Sequence, residues 1–247
     1  MAESTHHPDA SWLFVELGGT SSQTSRRDRD GRFWFTPGVA AAHGRPVALA
    51  CPGVIQGDRV LYATSLGWPA DADPRRELGI PTIALVENDA VAAGLGEAVL
   101  RAGGGAPGDL IYLSLGTGVG SAAVRAGRAY DLDVGHLAMG GASFCEGCRS
   151  YGCLNSLLEA RRLPQALTPE TYAFIAEQLA GALGRKGADA HIPIVLGGGI
   201  VRRHPAIADH LAARVPNPVG RTLAPPEAKS AAAMGLAYLV RRAGAGG

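Results

Sequence analysis

The residues able to do chemistry gather in a few places. Cys145, Cys148 and Cys153 fall within nine residues, while Cys51 stands alone. A thiol cluster of this kind, in a chain with no apolar leader at its start, reads as a metal site in preference to a disulfide framework. Glu87-Asn88-Asp89 sets an acidic pair at the end of an apolar run, and Asn88 or Asp89 also suits the N-cap of a following helix. Three further apolar runs stop at glycine turns: Gly18-Gly19-Thr20, Gly116-Thr117-Gly118 and Gly197-Gly198-Gly199. Such turns let backbone N–H groups approach phosphate closely. Each alone is ordinary turn geometry. Three of them, with an acidic pair at a fourth strand end, point to a nucleotide site.

The elements that must hold these groups follow from hydrophobic patterning. Strands are predicted at 12–17, 32–36, 46–50, 58–64, 81–86, 110–115, 121–125 and 192–196. Residues 21–30 read as a polar hairpin loop and 131–154 as a stretch with little regular structure. The alanine-rich run 90–102 predicts a buried helix. Further helices are predicted over 155–162, 169–186, 205–214 and 226–242, the last with prolines at its start. Residues 1–11 read as a loose tail, 103–108 as a loop and 243–247 as a fraying end. Strands alternating with helices indicate an α/β fold that binds ligands at strand ends.

Composition narrows the function. Lys and Arg number 23 against 22 Asp and Glu, a net charge of +1, which argues against gripping nucleic acid or an anionic membrane. Hydrophobic residues at 47% and charged residues at 18% supply a real core. The 247 residues have room for one large or two small domains. No apolar run approaches the roughly 20 residues that span a bilayer. A polar start without a signal core predicts a cytoplasmic protein. Lys186 and Lys229 are the only lysines, a bias that reads as genome composition.

Taken in order, the motifs resemble the ROK family of bacterial sugar kinases, within the actin-like ATPase superfamily. Leu17-Gly-Gly-Thr20 resembles its first phosphate motif and Leu115-Gly-Thr-Gly-Val-Gly120 its second. Cys51-Pro-Gly-Val54 and Ala63-Thr-Ser-Leu-Gly-Trp68 resemble the substrate-side segment, and Glu87 to Glu97 the catalytic motif. Gly135-His136 with the cysteines resembles the zinc signature, and Ile194 to Gly199 the adenosine-side motif. The resemblance implies a two-lobed α/β fold of the actin-like (ribonuclease H-like) type with a zinc-binding loop. It places a small lobe at 12–86 plus 226–242 and a large lobe at 87–225, with the zinc loop at 131–155.

It also implies transfer of the ATP γ-phosphoryl group to a hydroxyl of a sugar, amino sugar or related polyol. Asp89 falls on the family's general base. Asn88, Asp133, His136, Asn155, Ser65 and Gly53 fall on the substrate side. Gly18, Gly19, Thr20, Gly116, Thr117, Gly118, Gly197, Gly198, Gly199 and Glu16 fall on the nucleotide side, with ATP and Mg²⁺ as cofactors. His136, Cys145, Cys148 and Cys153 form the expected structural Zn²⁺ set. A small sugar-like substrate is the expected partner, a homodimer is a candidate assembly, and nucleic acid and membranes are excluded. The repressors' helix-turn-helix arm is absent.

The chain departs from the family pattern on the acceptor side. Glu16 replaces an Asp, Asp133 and Asn155 replace glutamates, and Ser65 replaces an Asn. Cys-x-x-Cys replaces Cys-x-Cys. Thr20 and Pro52 are only 32 positions apart, where the family has a further strand and helix. These departures also admit a catalytically degenerate sugar- or nucleotide-binding member, or a different reaction on the same scaffold.

Overall fold

The computed structural model describes residues 8–103, 105–164 and 166–244. In the first half, β1 (Leu13–Leu17), β2 (Ser22–Arg27), β3 (Phe33–Pro37) and β4 (Val47–Cys51) are followed by the hairpin β5 (Val54–Gln56) and β6 (Arg59–Tyr62). Then come α1 (Pro74–Leu78), β7 (Ile83–Asn88) and α2 (Asp89–Arg101). The second half opens with β8 (Leu110–Leu115), β9 (Val119–Arg125) and β10 (Arg128–Asp131). The small ribbon β11 (Phe144–Cys145) and β12 (Ser150–Tyr151) leads into α3 (Leu154–Leu158) and α4 (Pro169–Arg185). It closes with β13 (Ile194–Gly197), α5 (Gly198–Arg203), α6 (Ala206–Ala212), β14 (Val219–Arg221) and α7 (Ala232–Gly244).

The two large sheets repeat one topology. Their strand orders are β3-β2-β1-β4-β7 and β10-β9-β8-β13-β14. In each, the first three strands meander antiparallel and the last two add parallel to the first. Both faces of each central strand are buried, as unbroken apolar runs require. Phe14 on β1 and Tyr112 on β8 face a core that also holds Leu95 of α2 and Leu236 of α7. Their neighbours Val15 and Leu113 face separate outer cores. α2 and α7 therefore lie between the sheets. They pack backbone to backbone: a Cβ at Gly96 would collide with the Ala231 carbonyl, and one at Gly235 with the Ala92 carbonyl.

Several elements depart from their sequence patterns. Residues 22–27 form a strand because they pair along all of β1, despite carrying no apolar alternation. The closing helix starts at Ala232, and Pro225 and Pro226 lie in the preceding turn. Helix α3 stops at Leu158 because Glu159 is extended (φ −60°, ψ 141°) and its carboxylate holds Arg161 and Arg162. Of the expected tail, residues 8–11 form a helical turn in which buried Asp9 pairs with Arg27 and Arg241. Residues 1–7, position 104 of the expected loop and 245–247 of the expected fraying end lie outside the described residues. Among the described residues, no helix is long and apolar enough to cross a membrane.

Candidate active site

The acidic pair sits where β7 becomes α2. Asn88 is the N-cap: its Oδ1 accepts from the Ala90 N–H at 2.9 Å and the Val91 N–H at 3.1 Å. Its Nδ2 donates to the Gly53 carbonyl at 2.9 Å, tying β7 to the turn after β4. Gly53 has φ +112°, and a Cβ there would collide with the Tyr62 carbonyl oxygen, so only glycine serves. Asp89 Oδ1 accepts from the Ala90 N–H at 2.9 Å. Burial pushes the Asp89 carboxyl above its ordinary value; Lys229 opposes that shift and Asp131 adds to it.

Beside this junction lies a cleft of about 180 Å³, lined by Gly53, Asn88, Glu87, Tyr130, Asp131 and apolar neighbours. Glu87 is likewise raised, chiefly by burial and also by Asp131, which is itself solvent-exposed. The expected Asp133 is exposed at φ +48°, and its backbone N–H donates to Asp131 at 2.7 Å. Asp131, two residues earlier, lines the cleft instead. No sequence motif marks it, and residues 131–154 read only as a stretch with little regular structure.

The first two glycine turns meet. Thr20 Oγ1 lies 3.4 Å from Thr117 Oγ1, and a Cβ on Gly19 would touch both Thr117 and Ser65. The second turn is closed by Gly116 N–H donating to Gly118 O at 2.9 Å. Asn155 holds it further: its Oδ1 accepts from the Val119 N–H at 2.8 Å, and its Nδ2 points to Cys145 Sγ at 3.6 Å. The third turn is buried at Gly197, and a Cβ on Gly198 (φ +87°) would collide with Leu115. Gly199 is exposed at the first turn of α5. Gly197 and Gly198 thus bring β13 and α5 close to β8.

Glu16, just before the first turn, is buried, and burial pushes its carboxyl up to about 7 despite Lys229. Lys229 Nζ stands 3.8 Å from Glu16 Oε1. Sequence reasoning passed over Lys229; its one visible signal was its rarity.

His136, Cys145, Cys148 and Cys153 converge, with their four ligand atoms within 4.8 Å of one another. A Cβ on Gly147 would press on the His136 ring and approach Cys145 Sγ, so the loop leaves room around the donors. Backbone bonds from Leu154 N–H to Leu137 O (3.0 Å) and Met139 N–H to Gly152 O (2.7 Å) lock the two ligand-bearing segments together. Three thiols and an imidazole at this spacing fit tetrahedral zinc with no open position, which is a structural site. The extra residue in Cys145-Glu-Gly-Cys148 is absorbed by the β11–β12 turn.

The ROK family model matches residues 38–170, more than half of the chain. The chain belongs to the ROK family. The match takes in the cleft, the second glycine turn and all four zinc-ligand candidates, and leaves Glu16 and the third turn outside it.

Solved ROK structures share the fold. A ROK glucokinase from Streptomyces griseus, in complex with glucose and AMPPNP, has 19% identity and a TM-score of 0.71, covering 93% of this chain and 99% of that one. An inorganic polyphosphate/ATP-glucomannokinase from Arthrobacter sp. strain KM has 22% identity and a TM-score of 0.67, covering 95% and 99%. A ROK transcriptional regulator, homolog of the E. coli MLC protein, has 16% identity and a TM-score of 0.60, covering 93% and 79%. No curated protein matches the sequence significantly. The fold is therefore the two-sheet α/β fold of the ROK sugar kinases, shared with a ROK regulator.

Proposed function

We propose that this ROK protein transfers the terminal phosphoryl group of ATP to a hydroxyl of a sugar, amino sugar or related polyol, with Asp89 as general base. The position of Asp89 carries this reading. It follows directly on Asn88, which lines the cleft with Gly53, and it lies within electrostatic reach of Lys229 and Glu16 at the first phosphate turn. One carboxylate oxygen is held by its own helix, and the other has no hydrogen-bond partner among the described residues. That oxygen can take the acceptor hydroxyl's proton as the new bond to phosphorus forms. A raised carboxyl is a stronger base once ionised, so turnover rises on the acid side as Asp89 loses its proton. Asn88 can both donate to and accept from sugar hydroxyls through its amide.

The first turn does not fit the Mg²⁺ that the resemblance implies. Magnesium is held by carboxylates together with substrate phosphates. Here the turn's carboxylate, Glu16, is buried and already faces the Lys229 ammonium at 3.8 Å, where a cation would have to sit. No step is assigned to a protein-held magnesium. Zinc held by His136, Cys145, Cys148 and Cys153 would stiffen the loop that carries Asn155 toward the second turn.

The test is ADP release from ATP, supplied with magnesium, over a panel of sugars, amino sugars and polyols. An acceptor-dependent signal is expected, with Asp89→Asn slower by about 100-fold or more. Release with no acceptor, or full activity in Asp89→Asn, would sink the proposal. The Glu16–Lys229 pair favours a second reading, a non-catalytic sugar- or nucleotide-binding ROK protein. It predicts binding by calorimetry without turnover.

A further inference from the structure

Lys229 is placed with more care than a surface lysine receives. Its backbone N–H donates to Gln23 Oε1 at 2.7 Å, and Gln23 Nε2 donates to the Glu227 carbonyl at 2.7 Å. Gln23 of β2 therefore pins the chain on both sides of buried Ala228. From the other half, Arg202 of α5 donates through Nη1 to the Ala228 carbonyl at 2.6 Å. The segment between β14 and α7 is thus clamped by both halves of the molecule.

The side chain then runs to the first phosphate turn. A Cβ on Gly18 would collide with Lys229 Nζ, so the glycine makes room for the ammonium. Glu16 Oε1, at 3.8 Å, attracts it but is too distant for a hydrogen bond. Among the described residues the ammonium makes no hydrogen bond, and its side chain is 26% exposed. Arg202 Nη2 is also buried without a partner. Arg202 lies near enough to Glu16 to favour its ionised form. Lys229 at the turn and Arg202 against the segment that carries it therefore both keep unspent donors. An unmade hydrogen bond on a buried donor costs about 1–3 kcal/mol, so Arg202 Nη2 points to an absent acceptor.

We propose that Lys229 binds the terminal phosphates of the nucleotide at the first glycine turn, with Arg202 as the residue that positions it. This rests on the ATP reading given above. An ammonium is a compact point charge suited to phosphate oxygens. Charge from the protein itself lessens the need for a metal held by a carboxylate.

Calorimetry with ATP, in magnesium and in EDTA, separates this proposal from its alternatives, with adenosine as the probe that lacks phosphates. Wild type is expected to bind ATP in EDTA within about threefold of its affinity in magnesium. Lys229→Met is expected to weaken ATP in EDTA by about tenfold or more, the loss of one charge-assisted hydrogen bond. Its adenosine affinity stays unchanged, which certifies the fold, and Lys229→Arg retains part of the ATP affinity. Equal ATP binding by Lys229→Met overturns this proposal alone, leaving the kinase reading intact if acceptor-dependent ADP release persists. Tighter ATP binding by Lys229→Met also overturns it, since the ammonium would then be a plug. A wild type that binds adenosine but no ATP overturns both.

Discussion

The two halves are built on one plan, five strands in the same order and sense, yet their glycine turns differ in kind. At the end of β1 the residue before the last is Glu16, and the turn beyond it is charged, with Lys229 at its edge. At the corresponding place on β8 stands Ser114, and the turn is neutral, braced by the Asn155 amide. The outer coverings differ as well. The second sheet is backed by α3, α4, α5 and α6, whereas the outer core of the first is closed by residues of the β5–β6 hairpin and α1. The two sheets share a scaffold, and side chains brought in from elsewhere in the chain make one turn electrostatic and the other structural.

The joint between the halves gives the largest expected effect. Gly96→Val drives a branched side chain into the Ala231 carbonyl and should cost at least about 3 kcal/mol. Denaturant unfolding should show both halves lost together; a variant in which one sheet survives would show that they are independent.

A smaller effect should mark the charged turn. Glu16 keeps its proton in the folded state up to about 7, against 4.5 when unfolded. Between those values the folded state binds more protons, so stability falls as pH rises. The separation corresponds to as much as about 3 kcal/mol. In Glu16→Gln that part of the fall should vanish, as measured by denaturation at pH 5 and pH 8; an unchanged pH profile would show that Glu16 is ionised throughout.

The neutral turn should answer to zinc. Cys153→Ala should abolish bound zinc by elemental analysis and cost about 2 kcal/mol, or about 5 °C in melting temperature. Exchange of the Val119 amide should speed up while that of β1 stays slow. Equal effects on both halves would deny the asymmetry.

Much of this was legible in the sequence. Runs such as Leu110 to Leu115 and Ile194 to Gly197 announce buried strands, and Cys145, Cys148 and Cys153 announce a cluster of thiol donors, because residues close in sequence decide those outcomes. Ser22 to Arg27 could not be read as a strand, since its reason is a partner strand and not its own pattern. The same holds for Asp131, whose role depends on a turn that lifts Asp133 away. Lys229 was beyond pattern altogether: Gln23, more than 200 positions earlier, fixes its backbone.

Helix α7 covers β1, β4 and α2, yet it is synthesised roughly 200 residues after β1. At ribosomal speeds of about 5–20 residues per second, β1 waits about 10–40 s for α7 to complete the cover of its inner face. Phe14 and Ala48 spend that interval without Leu236 and Ala237 against them. A premature stop before residue 232 would leave that face uncovered for good, and such a product should be cleared by proteolysis.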